Sequence, residues 1–225
     1  MQKYLLILIL LMIGMGLYAD RVIGPGYDFG LLGADTYNLD LRYSNELRKL
    51  YVVAEFTIKG SELTNTSLHS FFMTRDAHLD QLYINGKQCG TILANNLVPE
   101  HFTPVLQYPE LVDTLSTALC YTFNFNCIKL PESDINFKMV YWLQMPEWQV
   151  DASGVEYTSL AADALWFPRN LAGNSTVNIE LKTSARYLLQ LDTESVFSEE
   201  NGIRMHQGSF QDGPGLDPVL KIIKS

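Results

Sequence analysis

Tyr157 to Asn170 reads YTSLAADALWFPRN, and after a Gly/Asn/Ser turn Thr176 to Asp192 reads TVNIELKTSARYLLQLD. In the first stretch Trp166, Phe167 and Pro168 end an apolar segment. The proline fixes its own φ and drives Phe167 toward extended geometry, so the chain leaves this point as a strand and not as a helix. In the second stretch Val177, Ile179 and Leu181 alternate with Asn178, Glu180 and Lys182. Side chains of a strand point alternately to its two faces, which puts the three apolar residues on one buried side. A core-facing Trp166 and an inward Val177/Ile179/Leu181 face are the expectations that decide the fold.

The same period recurs on both sides of this stretch. Tyr37 to Tyr43 (YNLDLRY) places Leu39 and Leu41 together, and Val52, Ala54, Phe56 and Ile58 alternate with Val53, Glu55, Thr57 and Lys59. Thr66 to Met73 and Leu79 to Ile84 read as further strands. Asn85-Gly86 favours the left-handed dihedrals of a tight hairpin, which predicts that Lys87 to Leu93 returns beside Leu79 to Ile84. Leu119 to Ile128 and Ile135 to Leu143 are separated by a short link, which predicts a hairpin. A short helical turn is expected at Ser159 to Ala164, and last strands at Gly202 to Phe210 and Val219 to Ile223. About eleven strands of ordinary length, without a long amphipathic helix, predict an all-β, saddle-like, two-sheet antiparallel β-sandwich with little helix.

The chain opens MQKYLLILILLMIGMGLYAD, with Lys3, an apolar run from Leu5 to Ile13 and small residues leading to Ala19. That is the layout of a secretory signal peptide over 1–19, and the run is too short to span a bilayer well. The glycine-rich stretch that follows reads as a flexible arm over 20–36, with a single β-sandwich domain over 37–225. The expected location is therefore secreted or periplasmic, with no stable membrane span after processing.

A formal net charge of -9 and the lack of a Lys/Arg cluster exclude a phosphate-backbone reader, so no nucleic-acid partner is expected. Cys120 and Cys127 are seven apart on one predicted strand, about 23 Å and on opposite faces, which keeps them from bridging each other. Either is free to meet Cys89. No cysteine or histidine spacing suggests zinc, and no cofactor is expected.

Candidate chemistry is thin. His69, Ser70, Asp76 and Asp80 supply the residue types of a hydrolytic triad, but neighbouring strand residues face opposite ways and no Gly-x-Ser-x-Gly elbow occurs. Asp151, Glu156 and Asp163 carry oxygen ligands without the spacing of a calcium loop. Trp142 falls on the side of its strand opposite Phe137 and Tyr141, and Trp148 follows in the next loop. These two tryptophans are the candidate binding surface, because an indole joins a large contact area to a polar edge and suits a sugar ring or a protein partner.

The order of pieces resembles a known family. Tyr37-Asn38-Leu39-Asp40-Leu41, the Val53 to Ile58 strand, Leu79 to Gly86 ending in INGK, and the later LWFPRN, TVNIELKT and YLLQL resemble the N-terminal β domain of aminopeptidase-N-type zinc metallopeptidases over Tyr37 to Asp192. The resemblance implies that domain's fold. The family's zinc site lies on a following helical domain, where His-Glu-x-x-His places two imidazoles one helical turn apart. Here His69, His78, His101 and His206 have no partner at a spacing of four, and where the family's domain supplies a Gln or Glu for the substrate's amine this chain carries Ser159, Ala161, Ala162 and Asp163. No catalytic or metal residue carries over. The expected role is a non-catalytic binding or assembly module with a protein or glycan partner in the envelope or outside the cell. The alternatives are an accessory, peptide-docking subunit of a separately encoded metallopeptidase, and a small glycan- or metal-assisted hydrolase.

Overall fold

The computed structural model describes residues 30–31, 33–60, 68–89, 93–95, 118–124, 134–170, 173–191, 195–213 and 216–225. Strands dominate them, in three sheets. The largest has eight strands in the order Ser195–Glu200 (β14), Ile203–Asp212 (β15), Ser175–Ser184 (β12), Thr36–Ser44 (β2), Lys49–Ile58 (β3), Ile135–Gln144 (β9), Ala77–Ile84 (β5) and Lys87–Gln88 (β6). The second sheet runs Gln149–Val150 (β10), Glu156–Ala161 (β11), Val219–Lys224 (β16), Tyr187–Gln190 (β13). The third runs Gly30–Leu31 (β1), Leu68–Thr74 (β4), Ala118–Asn124 (β8), Leu93–Asn95 (β7).

The alternation read from the sequence sets the layers. Leu39 and Leu41 on β2, Val52, Ala54 and Phe56 on β3, Phe137, Met139 and Tyr141 on β9, and Val177, Ile179 and Leu181 on β12 are all buried in one cluster. Register keeps them level, with Leu39 beside Ala54 and Ile179, and Ala54 beside Met139. Leu160, Leu189, Leu220 and Ile222 of the second sheet belong to the same cluster and form its opposite wall. A slip of one residue would turn each of these apolar sets to water, so burial pins the register.

The Trp-Phe-Pro stretch joins the layers. Ala162–Ala164 forms one turn of 3-10 helix, and Leu165 follows with φ 53° and ψ 39°, a left-handed conformation that a leucine adopts at a cost. The turn is held from both sides, because the Leu165 amide bonds the Ala162 carbonyl and the Leu165 carbonyl accepts the Thr74 amide of the third sheet. Trp166 is 1% exposed and Phe167 fully buried, in edge contact with each other and, through Phe167, with Tyr37 and Phe210. The Tyr141 hydroxyl donates to the Trp166 carbonyl at 3.0 Å. The expected inward Trp166 and Val177/Ile179/Leu181 face are as observed.

Several expectations need correction. β8 and β9 do not form a hairpin: β8 pairs with β4 and β7, while β9 pairs with β3 and β5. A short link says nothing about which partner buries more, and β9 buries five residues in the large sheet. β2 and β12 pair in parallel, as do β1 and β4, so the sandwich is mixed and not purely antiparallel. The Asn85-Gly86 hairpin is present, with positive φ at both residues, but its return strand ends at Gln88 and residues 93–95 join the third sheet. The helical turn is confined to Ala162–Ala164, because Ser159 to Ala161 stay in β11. The end of the expected arm is anchored, since Ala34 is buried and its amide bonds the Tyr37 hydroxyl at 3.0 Å. The signal segment at 1–19 lies outside the described residues.

Candidate binding face

The side of the large sheet that turns away from the core carries the alternate, polar positions of five strands. Asn38 and Asp40 come from β2, Glu55 and Thr57 from β3, Asn136 and Lys138 from β9, Tyr83 from β5, and Asn178 and Glu180 from β12. Together they line two adjoining grooves. One, of about 860 Å³, takes in Asp35, Asn38, Glu55, Tyr83, Asn136 and Lys138. The other, of about 500 Å³, shares Asn38, Glu55 and Lys138 with it and reaches Glu180 and Gln207.

Pairs that cross neighbouring strands hold this face in order. Lys138 donates to Glu55 at 2.8 Å, which raises the lysine pKa, and Thr57 donates to the Asn136 side-chain oxygen at 2.8 Å. Asn178 donates to Asn38 at 2.9 Å, across strands 140 residues apart in sequence. Lys182 sits 3.0 Å from Glu180 and 3.5 Å from Asp40, and hydrogen bonds from Lys182 and Gln207 lower the Glu180 pKa. Lys59 pairs with Asp35 at one end. Exposed pairs of this kind contribute about 0–1 kcal/mol each, so an entering ligand can exchange them for its own contacts at little cost. The face offers carboxylates, ammonium groups, amides and hydroxyls, and among the described residues no nucleophile on it is held against a base.

The two tryptophans do not form one surface. Trp142 lies on the outer face, stacked on His78 of β5 at 3.9 Å and 11°, with the Lys49 ammonium of β3 3.3 Å from its centroid. β3 and β5 flank β9 on opposite sides, so the indole is contacted from both neighbouring strands. Trp148 packs on the other side of the sheet, stacked on Tyr187 at 5.8 Å and edge-on to Tyr43 at 6.3 Å, with Lys224 4.5 Å away. Burial, with Tyr187 beside it, pushes the Tyr43 phenol up to about 12. The grooves are not legible in the sequence because each of their residues is an ordinary outward strand position; the alternation shows Glu55 and Asn178 as outward, but not which residues of other strands lie beside them.

The other candidates are dispersed. The side chains of His69 and Ser70, and all of His101, lie outside the described residues; Asp76 and Asp80 are exposed, and His206 is buried beside β14. Asp151 accepts the amides of Ser153 and Val155, and the Val155 bond is the main cause of its lowered pKa. Glu156 pairs with Lys224, and burial, with Asp217 nearby, raises the Asp163 carboxyl. Among the described residues no group of three or more His, Cys, Asp or Glu is placed to hold a metal. Cys89 donates to the Lys87 carbonyl at 3.7 Å, while the Cys120 side chain and all of Cys127 lie outside the described residues. No helix among the described residues is long and apolar enough to cross a membrane.

No family model matches the sequence, and no curated protein does. The fold does have counterparts among solved structures. An M1 zinc metallopeptidase from Deinococcus radiodurans superposes with a TM-score of 0.50 at 11% identity, over 84% of this chain and 41% of that one. A mutant of an M1 zinc metallopeptidase from the same organism, bound to a Tyr-Ser-Ala substrate, superposes with a TM-score of 0.50 at 10% identity, over 84% and 42%. The chain thus has a peptidase-like domain fold and spans about 42% of the length of the structure it matches. At these identities the likeness is one of fold.

Proposed function

We propose that the chain is an exported, non-catalytic binding or assembly module that acts in the periplasm or outside the cell, and that its docking surface is the outer face of the large sheet. The observation that carries this reading is the pair of adjoining grooves, about 860 and 500 Å³, on a face that runs across six strands, β15 included, and is open to solvent. Its side chains present hydrogen-bonding and charged groups on a rigid sheet, which suits recognition of a polar partner. Export rests on the Lys3, Leu5–Ile13, Ala19 pattern.

The test is a pull-down from native envelope with the full chain and with a Lys138→Glu/Asn178→Arg variant, bound material being identified by mass spectrometry and glycan analysis. A protein or glycan retained by the wild type and lost by the variant supports the reading. Identical recovery by both sinks it.

A second reading rests on the likeness of fold to the metallopeptidase structures. In it the partner is a separately encoded chain carrying His-Glu-x-x-His, and this chain is its accessory subunit. Such a chain would be the protein recovered in the same pull-down.

A further inference from the structure

We infer that His206 makes β14 an acid-releasable flap at the end of the large sheet. His206 stands on β15 between Leu181 of β12 and Phe197 of β14. It is 1% exposed, and neither ring nitrogen has a hydrogen-bond partner among the described residues. The Tyr187 carbonyl is close enough to favour the charged ring, but it also accepts the Arg204 guanidinium at 3.1 Å. A neutral imidazole tolerates such a place at modest cost; an imidazolium, with two N–H donors and a full charge, does not.

The groups around it do not make up for that burial. Arg204 on its own strand already carries a cation, ion-paired at 3.0 Å with Glu199 of β14 and lying 5.1 Å from the Phe197 ring. β13 brings Tyr187, and β12 brings the uncharged Leu181. Burial holds the His206 pKa below its ordinary value, against the pull of the Tyr187 carbonyl and with a smaller contribution from Arg204.

The cover is also the part easiest to move. Phe197 lies 5.6 Å from the imidazole and is itself 58% exposed, and β14 is bonded to β15 as the end strand of its sheet. Lifting β14 lets water reach His206, whereas reaching it from the core side would require unpacking β12. The sign follows from linkage. Closure is at full strength while His206 is neutral in both states, above about pH 6.5, and weakens as pH falls below the released-state pKa toward the lower closed-state one. Release would leave Val196 and Phe197, already 68% and 58% exposed, free of the sheet.

Hydrogen exchange of the full chain tests this, read over residues 195–200 at pH 7.5 and pH 5 and corrected for the intrinsic pH dependence of exchange. If His206 stays neutral while closed, opening should rise by up to about thirtyfold over that interval, with residues 135–144 of β9 unchanged. In His206→Phe the rise should disappear. Equal protection of 195–200 at both pH values, or the same loss in His206→Phe, overturns the proposal. If that variant does not fold, nitrogen NMR of the wild-type imidazole decides. A ring still neutral at pH 5 in molecules with β14 paired supports the flap, and titration near 6.5 with β14 still paired rules it out.

Discussion

Arg169 grips Asp212 with its Nε 2.9 Å from both carboxylate oxygens and an Nη 2.7 Å from one of them, in a place where the two side chains are 2% and 0% exposed. The same guanidinium donates to the Leu216 carbonyl at 2.6 Å, so one arginine ties the segment after Pro168 to the end of β15 and to the loop before β16. Burial pushes the Asp212 carboxyl up, and the Arg169 contacts act against that shift.

Removing one partner of this pair should be expensive. Arg169→Met leaves a carboxylate out of water without its counter-charge, for an expected loss of about 3–5 kcal/mol in a denaturant melt. The double variant Arg169→Met/Asp212→Leu should recover much of that loss, because no isolated charge remains. A double variant less stable than the single one would show that the pair contributes more than mutual neutralisation.

The two tryptophans should separate cleanly in the same measurement. Trp166→Ala empties a site in the core and should cost about 3–5 kcal/mol. Trp142→Ala removes a stack on His78 and a cation–π contact with Lys49 at the surface, for about 1 kcal/mol. Equal melts for the two would refute the assignment of inner and outer faces.

Tyr43 provides a probe of the junction between the sheets. Its phenol is held up to about 12 by burial beside Tyr187. A phenol whose pKa is higher in the folded than in the unfolded state costs stability as pH rises. The loss should begin near the unfolded value of about 10 and level off near the folded one. Tyr43→Phe should flatten this part of the stability profile, read by denaturant melts between pH 9 and 12.

The outer face should tolerate change in the free protein. Lys138→Glu breaks an exposed pair with Glu55 and should shift stability by no more than about 1 kcal/mol, while lowering recovery of any partner that docks in the grooves. A variant that unfolds instead would mean that this face stabilises the sheet and is not free for recognition.

What the sequence determined by itself is which face of β2, β3, β9 and β12 turns inward. The period-2 alternation in 37–43, 52–58, 135–143 and 177–181 is a property of the local backbone, and every inward residue it named on β2, β3, β9 and β12 is buried. The same holds for Trp166 and for the Asn85-Gly86 turn, whose dihedrals depend on near neighbours. Partner choice is different, because it depends on burial summed over contacts distant in sequence. β8 therefore leaves β9 despite the short link, and β2 lies parallel to β12, which sets Asn38 beside Asn178. The grooves, the contacts of Trp142 with both neighbouring strands and the hidden ring of His206 all follow from that pairing, and no local pattern in their own segments distinguishes them from ordinary strand positions.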